Sequence, residues 1–214
     1  IKQTRTNIAR INDLRNEFIW LKNKKVILFA GTIGLVNGVD IIPKLANEML
    51  SIDKDIIFVI IGNGNQESKV KSIAKSNSTI NNNLFFINRL SKIDILPWLY
   101  ISDLNLCLFK GPKVIWKDAV QNKFFDSLAF GKPLACNFKG WQSNIAHKHN
   151  FGIILDDSDI KHSATILSKH MNDNTWMKNA SIAAKELALT RFNRDLLVED
   201  LNNILENSFY KKSV

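Results

Sequence analysis

Ile56-Ile57-Phe58-Val59-Ile60-Ile61 is an unbroken apolar run, preceded by Asp53-Lys54-Asp55 and followed by Gly62-Asn63-Gly64. The run is far too short to span a bilayer. It also lacks the polar alternation of a strand with one wet face, so it reads as a strand covered on both sides. Working outward, similar short apolar runs occur at 26–30, 84–87, 104–109, 133–137 and 152–155. Between them lie stretches of helical period at 39–50, 66–75, 92–101, 123–130, 142–148 and 159–171. Strand and helix alternating in this way predict an α/β fold: a doubly wound, Rossmann-like parallel sheet of about six strands with helices on both faces. A further helix is expected up to Trp20, and two more at 175–187 and 193–209. The expected organisation is a helical linker over 1–24, a nucleotide-binding domain over 25–190 and a terminal helix over 191–214.

The composition narrows the class. Of 214 residues, 45% are hydrophobic and 23% charged, as in an ordinary globular chain rather than a disordered or fibrous one. The formal charge of +9 favours anionic partners. Its basic residues are scattered and not interleaved with aromatics on one element, which argues against nucleic acid. Cys107 and Cys136 have no metal-knuckle spacing and read as reduced, buried thiols of a cytoplasmic protein. His147, His149, His162 and His170 show no ligand spacing either, so no metal is expected. The chain opens at Ile1 without an initiator Met, which suggests a piece of a longer protein.

In sheets of this kind ligands sit beyond the carboxyl ends of the strands. After the first strand come Gly31, Thr32, Gly34 and Gly38, where glycines let backbone N–H groups approach an anion at a helix start. The spacing is neither GxGxxG nor a Walker loop, so plain turn glycines are the alternative. Gly62-Asn63-Gly64 makes a second tight turn on the neighbouring strand end. Gln121-Asn122-Lys123-Phe124-Phe125-Asp126, running on to Gly131-Lys132-Pro133, then opens a helix with Asn122 as its expected N-cap. Lys123 stands in the first turn, where the helix dipole disfavours a cation unless an anion shares the site. Asp126, three residues on, shares its face. A phosphate-seeking ammonium beside a hydroxyl-seeking carboxylate suits a nucleotide, and a surface ion pair is the alternative.

These residues together resemble a known family. Gln121–Pro133 is similar to the "PNKxFEYLAxGKP" signature of the nucleotide-sugar-binding, carboxyl-terminal domain of bacterial GT-B group 1 (family 4-like) glycosyltransferases. The stretch 29–40 resembles that family's "AGxLGxxxG" loop, 56–64 its "xxIVGxG" strand and turn, and 83–109 its "NVxFxGxxxxxxxPxLYxxADVxL" segment. The resemblance implies one half of a GT-B fold. It implies a retaining transfer of a hexosyl unit from a nucleoside-diphosphate sugar, with UDP favoured, to an acceptor hydroxyl in surface-polysaccharide or lipid-linked glycan synthesis. By the same resemblance Asp126 holds the ribose hydroxyls and Lys123 lies beside the diphosphate. The backbone N–H groups around Gly31, Thr32 and Gly34 would approach the donor's pyrophosphate or sugar, with Asn122 among the donor-binding residues. Gly62, Asn63 and Gly64 would edge the base pocket, and the loop 88–91 would lie near the base. The phosphates would be neutralised by helix-end N–H groups and Lys123, aided by Arg89 or Lys92.

The family's Glu-x7-Glu pair corresponds to Asp118 and Asp126, each one methylene shorter. The cations of its first loop are replaced by Thr32 and Asn37, and the proline of "PNK" by Gln121. The acceptor would bind a further domain upstream of Ile1, so this chain alone is expected to be inactive. Dimerisation through the last helix and association with the inner face of the membrane are further expectations. A sugar-nucleotide epimerase and a non-catalytic nucleotide-binding module are the alternatives. Trp98 and Trp141 read as packing residues.

Overall fold

In the computed structural model, which describes residues 5–210, successive side chains of the first two strands pack on opposite faces of the sheet. β1 (Lys25–Ala30) sends Ile27 and Phe29 to one face and Val26 and Leu28 to the other. β2 (Ile56–Ile61) does the same with Ile56, Phe58 and Ile60 against Ile57, Val59 and Ile61, and all six are buried. Both faces of this sheet are therefore dry, as its unbroken apolar runs require.

The chain begins with α1 (Arg5–Glu17) and a single 3-10 turn at Ile19–Leu21 before β1. The elements α2 (Ile42–Ile52), β2, α3 (Glu67–Ser76), β3 (Leu84–Ile87), α4 (Leu96–Ile101) and β4 (Leu104–Cys107) follow. Then come α5 (Lys113–Trp116), α6 (Asn122–Phe130), β5 (Leu134–Cys136), α7 (Trp141–Lys148) and β6 (Gly152–Ile154). The chain closes with α8 (Ile160–Asn172), α9 (Asn174–Leu189) and α10 (Arg194–Tyr210). All ladders are parallel, and the strand order is β3-β2-β1-β4-β5-β6. The order reverses between β1 and β4, which makes that crevice the place where such folds bind ligands.

One face of the sheet packs against α2 and α8, where Leu45, Ala46, Met49, Ala164 and Leu167 are fully buried. The other face carries α1 and α4 over β1 and β2, through Ile11, Trp98, Leu99 and Ile101. It carries α6, α7 and α9 over β4 and β5, around Phe124, Leu128, Phe151 and Ala184. Trp98 is buried there, and Trp141 joins Phe124, Phe125 and Phe192 in an aromatic cluster.

Several element ends differ from expectation, each for a local reason. The strand expected over 104–109 stops at Cys107, because the Phe109 N–H donates to Asn137 Oδ1 (2.8 Å) and leaves the ladder. The helix expected from residue 92 starts at Leu96. Before it, Ser91 and Asp94 close a turn of their own, with the Ser91 hydroxyl donating to Asp94 Oδ2 (2.6 Å). The helix expected from residue 39 starts at Ile42, after a left-handed Gly38 and a 3-10 turn. The N-cap of α6 is Gln121, in extended conformation, and Asn122 is the first helical residue. Residues 1–4 of the expected linker lie outside the described residues.

Candidate functional site

The crevice at the switch point is built from two loops and one helix end. Gly31 follows β1 with φ +152°, and Gly62 follows β2 with φ +148°, both in the region that favours glycine. A Cβ on Gly62 would stand 1.9 Å from the Gly31 carbonyl oxygen, and one on Gly64 2.3 Å from that of Ile33. The Ile33 N–H donates to Asn63 O (2.8 Å), and the Gln66 N–H to Ile33 O (3.0 Å). Gly62 and Gly64 are therefore needed so that the two loops can touch each other. Gly34 is extended (φ −112°), Asn37 Nδ2 donates to Thr32 O (2.8 Å), and Thr32 and Asn63 are exposed.

α6 brings its amino end to the same crevice. The Lys123 side chain lies over the end of β1, and a Cβ on Gly31 would come within 2.7 Å of its Cε. Its Nζ sits 4.9 Å from the centre of the Phe29 ring, within cation–π range. It also donates a long hydrogen bond to Gln121 Oε1 (3.4 Å). Burial pushes the Lys123 pKa below the ordinary lysine value, and nearby Asp126 opposes that shift.

Asp126 lies one turn further along α6. It lines a void of about 10 Å³ with Lys123, Leu28, Ala30, Leu99 and Asn105. Partial desolvation raises its carboxyl pKa, while Lys92 and then Lys123 pull it back. Among the described residues no ion pair joins Lys123 to Asp126, so the two are not a surface salt bridge.

The first turn of α6 is anchored from below and from above. Below it, Asn105 Nδ2 donates to Ser127 Oγ (3.0 Å), and that hydroxyl donates to Lys123 O (2.7 Å). Asn105 is buried, and its Oδ1 has no partner among the described residues. Above it, the Gln121 N–H donates to Gln142 Oε1 (2.9 Å), and Gln142 Nε2 donates back to Gln121 O (3.1 Å). Gln121 Nε2 donates to Leu108 O (2.8 Å). The sequence alone does not assign Phe29, Asn105, Ser127 or Gln142 to the site. For the three polar residues an isolated amide or hydroxyl is the available signal, and it has no partner along the chain to give it meaning.

The crevice thus brings together Gly31, Gly62, Lys123 and, one turn along, Asp126. Asn122 is exposed at the tip of α6. Arg89 is exposed on the loop after β3, and Asp118 on the turn after α5. No hydrogen bond or ion pair links Arg89 or Asp118 to Lys123 or Asp126 among the described residues. Within those residues no three His, Cys, Asp or Glu side chains converge as a metal site would need. No described helix is long and apolar enough to cross a membrane.

Comparison with known proteins bears on this geometry. Residues 11–187 match the family model described as glycosyl transferases group 1. The chain is 22% identical over 203 residues to spore coat protein SA of Bacillus subtilis, covering 92% of the chain and 52% of that protein. A segment of 91 residues is 31% identical to the putative colanic acid biosynthesis glycosyl transferase WcaI of Escherichia coli, covering 42% of the chain and 21% of that protein. The fold is similar to that of Anabaena HepE in its crystal structure with UDP, with a TM-score of 0.79 and 14% identity over 96% of the chain and 54% of HepE. The chain spans about half the length of spore coat protein SA and of HepE.

Proposed function

The chain belongs to the group 1 glycosyltransferases, and from that membership we propose that it is the donor-binding half of a retaining enzyme. In this reading a hexosyl unit passes from a nucleoside-diphosphate sugar, most simply a UDP-sugar, to an acceptor hydroxyl of a surface polysaccharide or lipid-linked glycan. The acceptor is held by the remainder of a protein about twice this length. The observation that carries the proposal is the Lys123 ammonium, laid against Gly31 at the crevice between β1 and β4. The solved relative with UDP supports the choice of nucleotide.

Cleavage of the glycosyl–phosphate bond leaves an oxocarbenium-like sugar and a diphosphate that gains negative charge. Lys123 faces that charge, and its partial burial strengthens the interaction by thinning the water around it. The amino end of α6 adds N–H groups of the same sign, including that of Asn122. A well-placed donor of this kind is worth roughly 2.7–4 kcal/mol to the departing charge. Asp126, kept free of a salt bridge with Lys123, has its carboxylate available to accept from ribose hydroxyls. Gly62, Asn63, Gly64 and Arg89 stand at the carboxyl ends of β2 and β3, beside the space for the base. Asp118 belongs to the sugar side of the site in this scheme, and no metal takes part. The exposed apolar residues of α10 are covered by the rest of the longer protein or by a second copy.

Calorimetric titration with UDP tests the assignment. The isolated chain binds UDP weakly and turns nothing over, and Lys123→Ala and Asp126→Ala each weaken binding at least about tenfold. Unchanged affinity in both variants overturns the site. Product analysis of the longer protein with labelled UDP-sugar then separates transfer from epimerisation.

A further inference from the structure

Lys123 is the residue the proposed function leans on, so what holds it in place matters. The chain has Gln121 where the family signature carries proline, and the amide group does work that proline could not. Proline has no N–H, whereas the Gln121 N–H is bound by Gln142 Oε1 (2.9 Å). Gln142 returns a hydrogen bond from Nε2 to Gln121 O (3.1 Å). Both glutamines are buried, at 7% and 0% exposure. The amide exchange clamps the residue immediately before α6 to the first turn of α7. The side chain of Gln121 is then oriented by its other end: Nε2 donates to Leu108 O (2.8 Å), which leaves Oε1 facing Lys123 Nζ at 3.4 Å.

We propose that Gln142 is a positioning residue for the donor site, acting through Gln121 to aim the Lys123 ammonium at the crevice. This deepens the reading of Lys123 as the diphosphate ligand and rests on it for its functional meaning. Every link is local and directional. Gln142 fixes the main chain of Gln121, Leu108 O fixes the sense of its amide, and the amide oxygen offers Lys123 a side-chain acceptor. A core that needed only to be filled at position 142 would be served by leucine or methionine at lower desolvation cost. A buried amide pair with both partners satisfied instead specifies one arrangement.

Two variants of the 214-residue chain separate this from a merely structural role. Gln142→Leu removes the clamp. Gln121→Met keeps the main-chain exchange with Gln142 and removes only the carboxamide beside Lys123. In each, the Lys123 Nζ titration is followed by NMR on lysine-labelled protein, assigned with Lys123→Gln, and UDP affinity is measured by calorimetry. Loss of an acceptor for the charged form lowers the titration midpoint of Lys123. The expected result is a lower midpoint and a UDP dissociation constant raised about tenfold in both variants. If Gln142→Leu does not fold, Gln121→Met still tests the link through which Gln142 acts, and an unmoved midpoint there overturns the proposal. A folded variant in which the Lys123 midpoint stays where it is in the parent chain overturns the proposal, whatever happens to melting temperature. The titration needs no nucleotide, so the positioning role is judged even if the parent chain fails to bind UDP, an outcome that would sink the donor-site reading instead.

Discussion

Lys123 and Lys132 stand at opposite ends of α6, each drawn into the protein with no carboxylate within ion-pair distance among the described residues. Lys132 donates to Tyr100 O (2.6 Å), a carbonyl left open in the last turn of α4. Burial, helped by the neighbouring Lys185 cation and opposed by Asp103, lowers the Lys132 pKa from 10.5 to about 8. Between those values the unfolded chain holds a proton that the folded chain has released. Stability therefore rises as the pH climbs through this window, and the contribution is absent below it. The full shift corresponds to about 3 kcal/mol, and solvent screening of the partly open side chain leaves on the order of 1–2 kcal/mol. Urea unfolding at about pH 7.5 and about pH 10 is expected to show this gain in the parent chain and not in Lys132→Met. Parallel pH profiles for the two proteins would refute the shift. At this scale Lys123 was legible because a cation in the first turn of a helix goes against the dipole and so calls for a reason. Gln142 was not, since an amide looks the same in any sequence context and acquires a role only when folding brings Gln121 to it.

The loops after β1 and β2 show why the same residue type had two explanations. In the sequence, glycines following strands imply places where backbone N–H groups meet an anion, with simple turns as the alternative. The structure gives Gly62 and Gly64 a third reason, contact of one loop with the other at 1.9 and 2.3 Å from a would-be Cβ. Gly34 has no such constraint. It is extended, and its nearest would-be contact is Asn37 Nδ2 at 3.4 Å. Gly62→Ala, forced into positive φ and into the Gly31 carbonyl, is expected to destabilise the chain by about 2–4 kcal/mol. Gly34→Ala is expected to change stability by less than about 1 kcal/mol. Chemical denaturation of the two variants side by side checks the contrast, and equal costs would mean that the loop contact is not what fixes Gly62. The strands themselves were legible from their apolar runs. Element ends were not, because the competitors that set them, Asn137 at the end of β4 and the Ser91–Asp94 turn before α4, are side-chain hydrogen bonds without periodicity. The helical turn α5 spans four residues, too few for a helical period to mark it.

For the molecule as a whole, the alternation of apolar runs and amphipathic stretches implied a doubly wound sheet. The place where the order reverses came only from the ladders, which set β4 beside β1. That pairing is what turns two glycine loops and the tip of α6 into one crevice. α10 stands outside this arrangement. Every side chain described from Arg194 to Ser208 is exposed, including Leu197 at 49%, Leu201 at 54% and Ile204 at 62%. A helix that buries none of these residues adds no transfer free energy to the sheet domain, and most helical stability in proteins comes from packing an apolar face. Removal of residues 194–214 is therefore expected to leave the unfolding free energy of the remainder within about 0.5 kcal/mol of the parent chain. Urea titration of the truncated and parent chains at equal, low concentration is the measurement. A loss of more than about 2 kcal/mol would mean that α10 packs against its own sheet domain in solution, and its apolar residues would then be core rather than a surface left for something else to cover.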